Sequence, residues 1–117
     1  MAGIAVVSMA GHIMTAPEKS DRADVINWLM SSSSRTRKEV SEKDGKEYPA
    51  GIIWKVAHWT KSDKVIELLT GIKPGSEIFV SGEVDVDEWK DAKTGEARYR
   101  LTLNASQWRL VGGKVPF

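Results

Sequence analysis

GSEIFVSGEVDVDEWKDAKTGEARYRLTLNASQW, residues 75 to 108, carries a period-two alternation through three successive segments and decides the fold class. Ile78, Phe79 and Val80 make an apolar run before Gly82. Val84 and Val86 then alternate with Asp85 and Asp87, and Tyr99, Leu101 and Leu103 alternate with Arg98, Arg100, Thr102 and Asn104. Between the last two segments, Asp91-Ala92-Lys93-Thr94-Gly95 is a turn in which Gly95 can supply the positive φ of a tight hairpin. The pattern predicts three strands of a small β-barrel, with Trp89 beside a hairpin turn where its ring can meet a partner.

Working outward, Ser62 is placed as the N-cap of a short helix from Asp63 to Thr70, with Val65, Leu68 and Leu69 as its apolar stripe and Gly71 at the C′ position. Lys73-Pro74-Gly75 turns the chain back into the strands. Upstream, Ile52 to Trp59 reads as a strand with Ile53, Lys55, Ala57 and Trp59 on one face and Ile52, Trp54, Val56 and His58 on the other. Residues Ser31 to Tyr48 are polar and read as a long hairpin loop turning near Asp44-Gly45, whose flanks can extend the neighbouring strands. Val25 to Met30 fits a strand and also a helical face; the serines that follow favour the strand. Ile4 to Met14 is an apolar first strand that Gly11 interrupts, as a glycine does at a bulge or barrel corner. The order is strand, strand, strand, helix, strand, strand, predicting an all-β, closed, five-stranded antiparallel barrel with one short helix between strands 3 and 4. A single domain is expected over residues 1–111, followed by a short tail, 112–117.

Composition narrows the function. The chain of 117 residues is 41% hydrophobic, enough for one core. It has no cysteine, hence no disulfide or thiolate metal site, and is compatible with the cytoplasm, the expected location. The apolar opening has no basic residue ahead of it and is broken by His12, so no signal or membrane segment is read there. Seventeen basic and sixteen acidic residues leave a net charge of +1, so any electrostatic footprint must be local. Locally the charge is split. From Arg35 to Lys64 eight bases face five acids, a net of +3, and from Glu83 to Glu96 six acids face two bases, a net of −4. No phosphate-binding glycine loop, nucleophile elbow or histidine pair at metal-ligand spacing is present, so neither enzymatic chemistry, a metal nor a cofactor is expected.

KPGS before a strand, then VSGEV, then Trp89-Lys90-Asp91 entering a glycine turn and Arg98-Tyr99 leaving it, make the chain similar to the bacterial single-stranded DNA-binding protein family. The resemblance runs from about Ile4 to Trp108 and implies the oligonucleotide-binding (OB) fold barrel. It further implies that aromatic rings stack on unpaired bases while basic side chains follow the phosphates. Trp89 and Trp59 fall at stacking positions, and Arg35, Arg37, Lys38, Lys55 and Arg98 are the expected phosphate contacts, whereas Trp28, Trp54 and Trp108 are read as core or subunit interface. Asp85 and Asp87 lie where the family commonly carries bases; a cross-strand pair between Asp87 and Arg100 would offset part of that charge.

The resemblance implies a partner, single-stranded DNA, and a homo-oligomer, dimer or tetramer, built through the first strand. It also implies work in DNA replication, recombination or repair. Val115-Pro116-Phe117 is similar to the hydrophobic tip by which family tails dock replication or repair proteins, although the linker and acids before that tip are absent. Two alternatives stand beside this reading: a primosomal replication protein of similar fold, and a divergent barrel that serves protein interaction without nucleic-acid binding, which the acidic hairpin favours.

Overall fold

The structure, a computed structural model, describes residues 5–111. The strands are β1 (Val6–Ile13), β2 (Glu18–Lys19), β3 (Val25–Val40), β4 (Glu47–Trp59), β5 (Glu77–Lys90) and β6 (Ala97–Leu110), with one helix, α1 (Asp63–Thr70), between β4 and β5. The sheet runs β1-β5-β6-β4-β3, and β1 returns to pair with β3 through His12 and Ile13, which closes it into a five-stranded barrel. The two-residue β2 is a short addition beside β3. The expected barrel and its helix are therefore present. One pairing corrects the antiparallel expectation: β4 and β6 run parallel, with Lys55 beside Thr102 and Val56 beside Leu103. Two strands separated by a helix and a hairpin can lie side by side in either sense, and alternation along each strand does not say which.

Alternate residues fill the barrel. Ile78 and Val80 of β5, Leu103 of β6, Val56 of β4, and Ile26, Trp28 and Met30 of β3 point inward and are buried. Residues 25–30 are thus a strand. Trp28, read from the sequence as core or subunit interface, is core, and its indole N–H has no hydrogen-bond partner among the described residues. Trp54 and Trp108 pack against the core half-buried, and Trp54 Nε1 donates to Ser32 Oγ at 3.1 Å. Ser62 Oγ accepts from the Val65 N–H at 3.3 Å, capping α1 as expected, and Leu69 carries the helix into the core. Gly71 ends the helix in right-handed conformation, φ −84°, rather than in the left-handed one common at C′.

The polar segment 31–48 is the larger correction. It is mostly strand: β3 continues to Val40 and β4 resumes at Glu47, leaving only the turn between Ser41 and Lys46. Strands projecting beyond a barrel have water on both faces, so they need no apolar alternation, which is why composition read them as loop. The pairing is interrupted between Ser33 and Lys38, where Ser34 Oγ accepts from the Thr36 and Arg37 amides.

The turns of the two long hairpins are geometric twins. Ser41 N–H donates to Lys46 O and Gly45 N–H to Ser41 O, both at 2.9 Å; Asp91 N–H donates to Glu96 O and Gly95 N–H to Asp91 O, both at 2.8 Å. Gly45 and Gly95 have φ of 69° and 73°, the left-handed conformation that glycine adopts without a Cβ penalty. In the first turn Tyr48 Oη donates to Asp44 Oδ2 at 2.6 Å and the Lys46 amide to Asp44 Oδ1 at 2.8 Å. The phenol first, then the amide, hold the Asp44 carboxyl below its ordinary value, and the same bond raises Tyr48.

Two glycines permit close backbone approaches, one of them at the closing junction. A Cβ on Gly11 would collide with the Ser31 carbonyl, where β1 crosses to β3, and one on Gly82 with the Asn104 carbonyl, where β6 bulges around Ser106. Gly11 is thus the close approach expected of an interrupting glycine.

Gly82→Ala is expected to destabilise the fold by about 2–3 kcal/mol or more, because backbone rather than a flexible side chain must move; urea unfolding with an unchanged m-value measures it. Asp44 should titrate below 3.8, and Tyr48→Phe should move it upward, as followed by carboxyl NMR. The lowered carboxyl makes this contact's contribution to the hairpin full above the ordinary carboxylate value and lost as pH falls through the folded value. For the raised phenol the contribution is full below 10.0 and lost as pH rises through its folded value.

Candidate nucleic-acid interface

The same parity that fills the core builds the outer surface. Pairing sets Leu29 of β3 beside Lys55 of β4, Lys55 beside Thr102 of β6, and Thr102 beside Asp85 of β5; Asn27, Ala57, Asn104 and Glu83 form the next row. Farther along, Asp87 faces Arg100 and Trp89 faces Arg98. The face therefore spans four strands, with Trp59 near one end and Trp89 near the other.

Both rings are open to solvent, Trp59 at 61% and Trp89 at 43% exposure, as stacking requires. They do not make one subsite. Trp59 lies four residues beyond Lys55, and Arg98, beside Trp89, lies four residues the other way from Thr102. At about 3.3 Å per residue that separates the two levels by roughly 26 Å.

Between them an open groove of about 520 Å³ is lined by Thr15, Ser20, Asn27, Leu29, Lys55 and Arg100, among others. Lys55 and Arg100 supply positive charge to it. Lys19, also at the groove, is engaged: its Nζ donates to the Ser20 and Ala23 carbonyls, both at 2.8 Å. Sequence reading gave Lys55 to this surface but missed Asn27 and Leu29. Their place depends on β3 and β4 register, which is fixed only once the hairpin is known to run unbroken from Ser33 and Gly51 to Val25 and Trp59.

Arg37 and Lys38 are exposed on the distal part of β3, away from this groove, and the Arg35 side chain lies outside the described residues. Arg98 is on the outer face, but its Nη2 lies 3.5 Å from Asp91 Oδ2, so its charge is partly engaged. The register expected for Asp87 and Arg100 is present while the ion pair is not: the Arg100 guanidinium lies over the Trp89 ring, 5.5 Å from its centroid. Asp85 Oδ1 accepts from the neighbouring Val86 amide at 2.7 Å. The acidic character of this hairpin thus remains on its outer face.

His12 is exposed, and half-buried His58 shares a 2.8 Å hydrogen bond between Nδ1 and the Ala105 carbonyl. Among the described residues no group of three or more His, Asp or Glu is placed to hold a metal ion, and no helix is long and apolar enough to cross a membrane. The Val115-Pro116-Phe117 tip and the rest of the 112–117 tail lie outside the described residues.

No family model matches the chain. It is 21% identical over 115 residues to single-stranded DNA-binding protein 1 of Chlorobaculum tepidum, covering 96% of this chain and 67% of that protein. Among solved structures it resembles the small single-stranded DNA-binding protein of Streptomyces coelicolor, with a TM-score of 0.66 at 11% identity, over 93% of this chain and 95% of the other. The mitochondrial single-stranded DNA binding protein of S. cerevisiae gives 0.64 at 12% identity, over 94% and 97%. The Plasmodium falciparum SSB in complex with ssDNA gives 0.57 at 10% identity, over 94% and 95%. The structural likenesses show that the chain has the OB barrel fold, and the sequence likeness to a single-stranded DNA-binding protein runs along nearly the whole chain.

Proposed function

We propose that the protein binds single-stranded DNA without catalysing a reaction on it, and serves DNA replication, recombination or repair. One observation carries this reading: two tryptophans stand exposed on the outer face of an OB barrel, with a groove lined by Lys55 and Arg100 between them. A folded protein buries large rings where it can, so exposed indoles flanking a groove whose lining includes Lys55 and Arg100 beside Glu18 fit flat, charged ligands. Stacking accepts every base, so sequence preference is expected to be weak. Trp59 and Trp89 act as stacking platforms, Lys55 contacts phosphate in the groove, and Arg35, Arg37 and Lys38 extend the cationic path along the β3–β4 hairpin. Arg98 contributes to the extent that Asp91 releases it.

The protein works as a homo-oligomer, dimer or tetramer. Support comes from β1: among the described residues its edge from Val6 to Gly11, opposite the one bonded to β5, pairs with no strand. An open edge is a template for pairing with another chain. Docking of replication or repair proteins belongs to the same reading.

The exposed acids of β5 favour a second reading, a barrel kept for protein interaction alone. Asp85 and Asp87 repel phosphate, and neither forms an ion pair among the described residues. Titration with oligothymidine at several salt concentrations separates the readings. Binding should quench tryptophan fluorescence, and Trp89→Ala should lose about 1–3 kcal/mol of affinity. Unchanged fluorescence at low salt would give the interaction module the lead.

Charge variants test the path. Replacing Arg35, Arg37 and Lys38 together by alanine should weaken binding and flatten the log–log salt dependence, by about 0.7 for each phosphate contact removed. Asp85→Asn should tighten binding. If the triple variant binds like the parent and Asp85→Asn gains nothing, the strand crosses neither hairpin.

A further inference from the structure

Arg100 has two possible partners on the outer face of the β5–β6 hairpin. Directly across the ladder is the Asp87 carboxylate; diagonally placed is Trp89, whose own cross-strand neighbour is Arg98. The guanidinium lies over the indole, 5.5 Å from the ring centroid. A guanidinium is planar and weakly hydrated, so it can stack on a ring while its edge stays in water. It covers one face of Trp89, and the residue is still 43% exposed to solvent.

We propose that Arg100 is a positioning residue for Trp89: it holds the indole with one face covered, so that this hairpin receives a single base of a single strand, on the face away from the guanidinium. The inference rests on the reading of the protein as a single-stranded DNA binder. It divides Lys55 and Arg100, two cations that line the groove, by role. Lys55, an ammonium with no ring to lie on, meets phosphate and displaces counterions. Arg100 remains on the indole, strengthens the stack from behind and displaces none.

That division makes salt dependence the deciding measurement. Arg100→Gln, Arg100→Lys and Lys55→Gln are compared with the parent in oligothymidine titrations at several salt concentrations, and the Trp89 indole N–H is followed by NMR in the free proteins. Arg100→Gln should move the Trp89 indole resonance and weaken binding about two- to fivefold, the range for an exposed cation over a ring, with the log–log salt slope unchanged. Arg100→Lys should fall between this variant and the parent. Lys55→Gln should flatten the slope by about 0.7 and leave the indole resonance in place. If Arg100→Gln instead flattens the slope as Lys55→Gln does, with the indole resonance unmoved, Arg100 is a phosphate contact and the positioning role is overturned. A parent that fails to bind oligothymidine overturns the reading of function itself, an outcome distinct from loss of the Arg100 effect in a parent that binds.

Discussion

Closure of the sheet on itself is the constraint on which everything else depends. β1 must reach both β5 and β3, and β4 must lie along β6, or the inward side chains have nothing to pack against. Backbone comes closer than a side chain allows at two places, Gly11 of β1 against Ser31 of β3 at the closing junction and Gly82 of β5 against Asn104 of β6 at the bulge of the β5–β6 pair. Once those contacts form, no residue of the central strands is free to choose its face. Ile78, Val80, Val56 and Leu103 converge at the centre, and Leu69 adds the helix to the same cluster.

The outer surface is the complement of that choice. Because parity is strict, burying Val56 and Leu103 turns Lys55 and Thr102 outward side by side, and burying Trp28 and Met30 sets Leu29 beside Lys55. The face proposed to meet single-stranded DNA thus needs no dedicated scaffold. Its weak point is electrostatic: the parity that exposes Trp89 also exposes Asp85 and Asp87, and Arg100 lies on the ring rather than across from the carboxylate. A strand on this surface would be held mainly through its bases at the β5–β6 hairpin and through its phosphates toward β4 and the distal part of β3.

Much of the barrel was legible in the sequence. Alternation from Ile78 to Leu103, the Ser62 cap and the Gly95 turn sufficed for strand order and the helix, because each is a local signal. The parallel sense of β4 and β6 was not legible, since no local pattern records how strands distant in sequence pair. Nor was the extended structure of residues 32–40, where strand pairing in water leaves no apolar trace. For the site, Trp89 was read as open from its place beside the hairpin turn, Trp59 was taken as a stacking position only through the family resemblance, and the Trp89 to Arg98 register followed from the turn. The engagement of Arg98 by Asp91 and of Arg100 by the ring did not, because which of several nearby partners a long side chain selects is decided by geometry at its tip.

The twin turns bear on how such a barrel can change. Ser41 to Lys46 and Asp91 to Glu96 use the same backbone bonds and the same left-handed glycine, yet one caps an arm (residues 35–48) in which five bases meet four acids and the other an arm (residues 83–96) in which six acids meet two bases. Arm shape is therefore independent of arm charge. Charges at exposed strand positions of either hairpin can change while the turn keeps its backbone bonds, so ligand preference in this architecture can drift while the barrel stays fixed; Asp44, tied to Tyr48, is the exception.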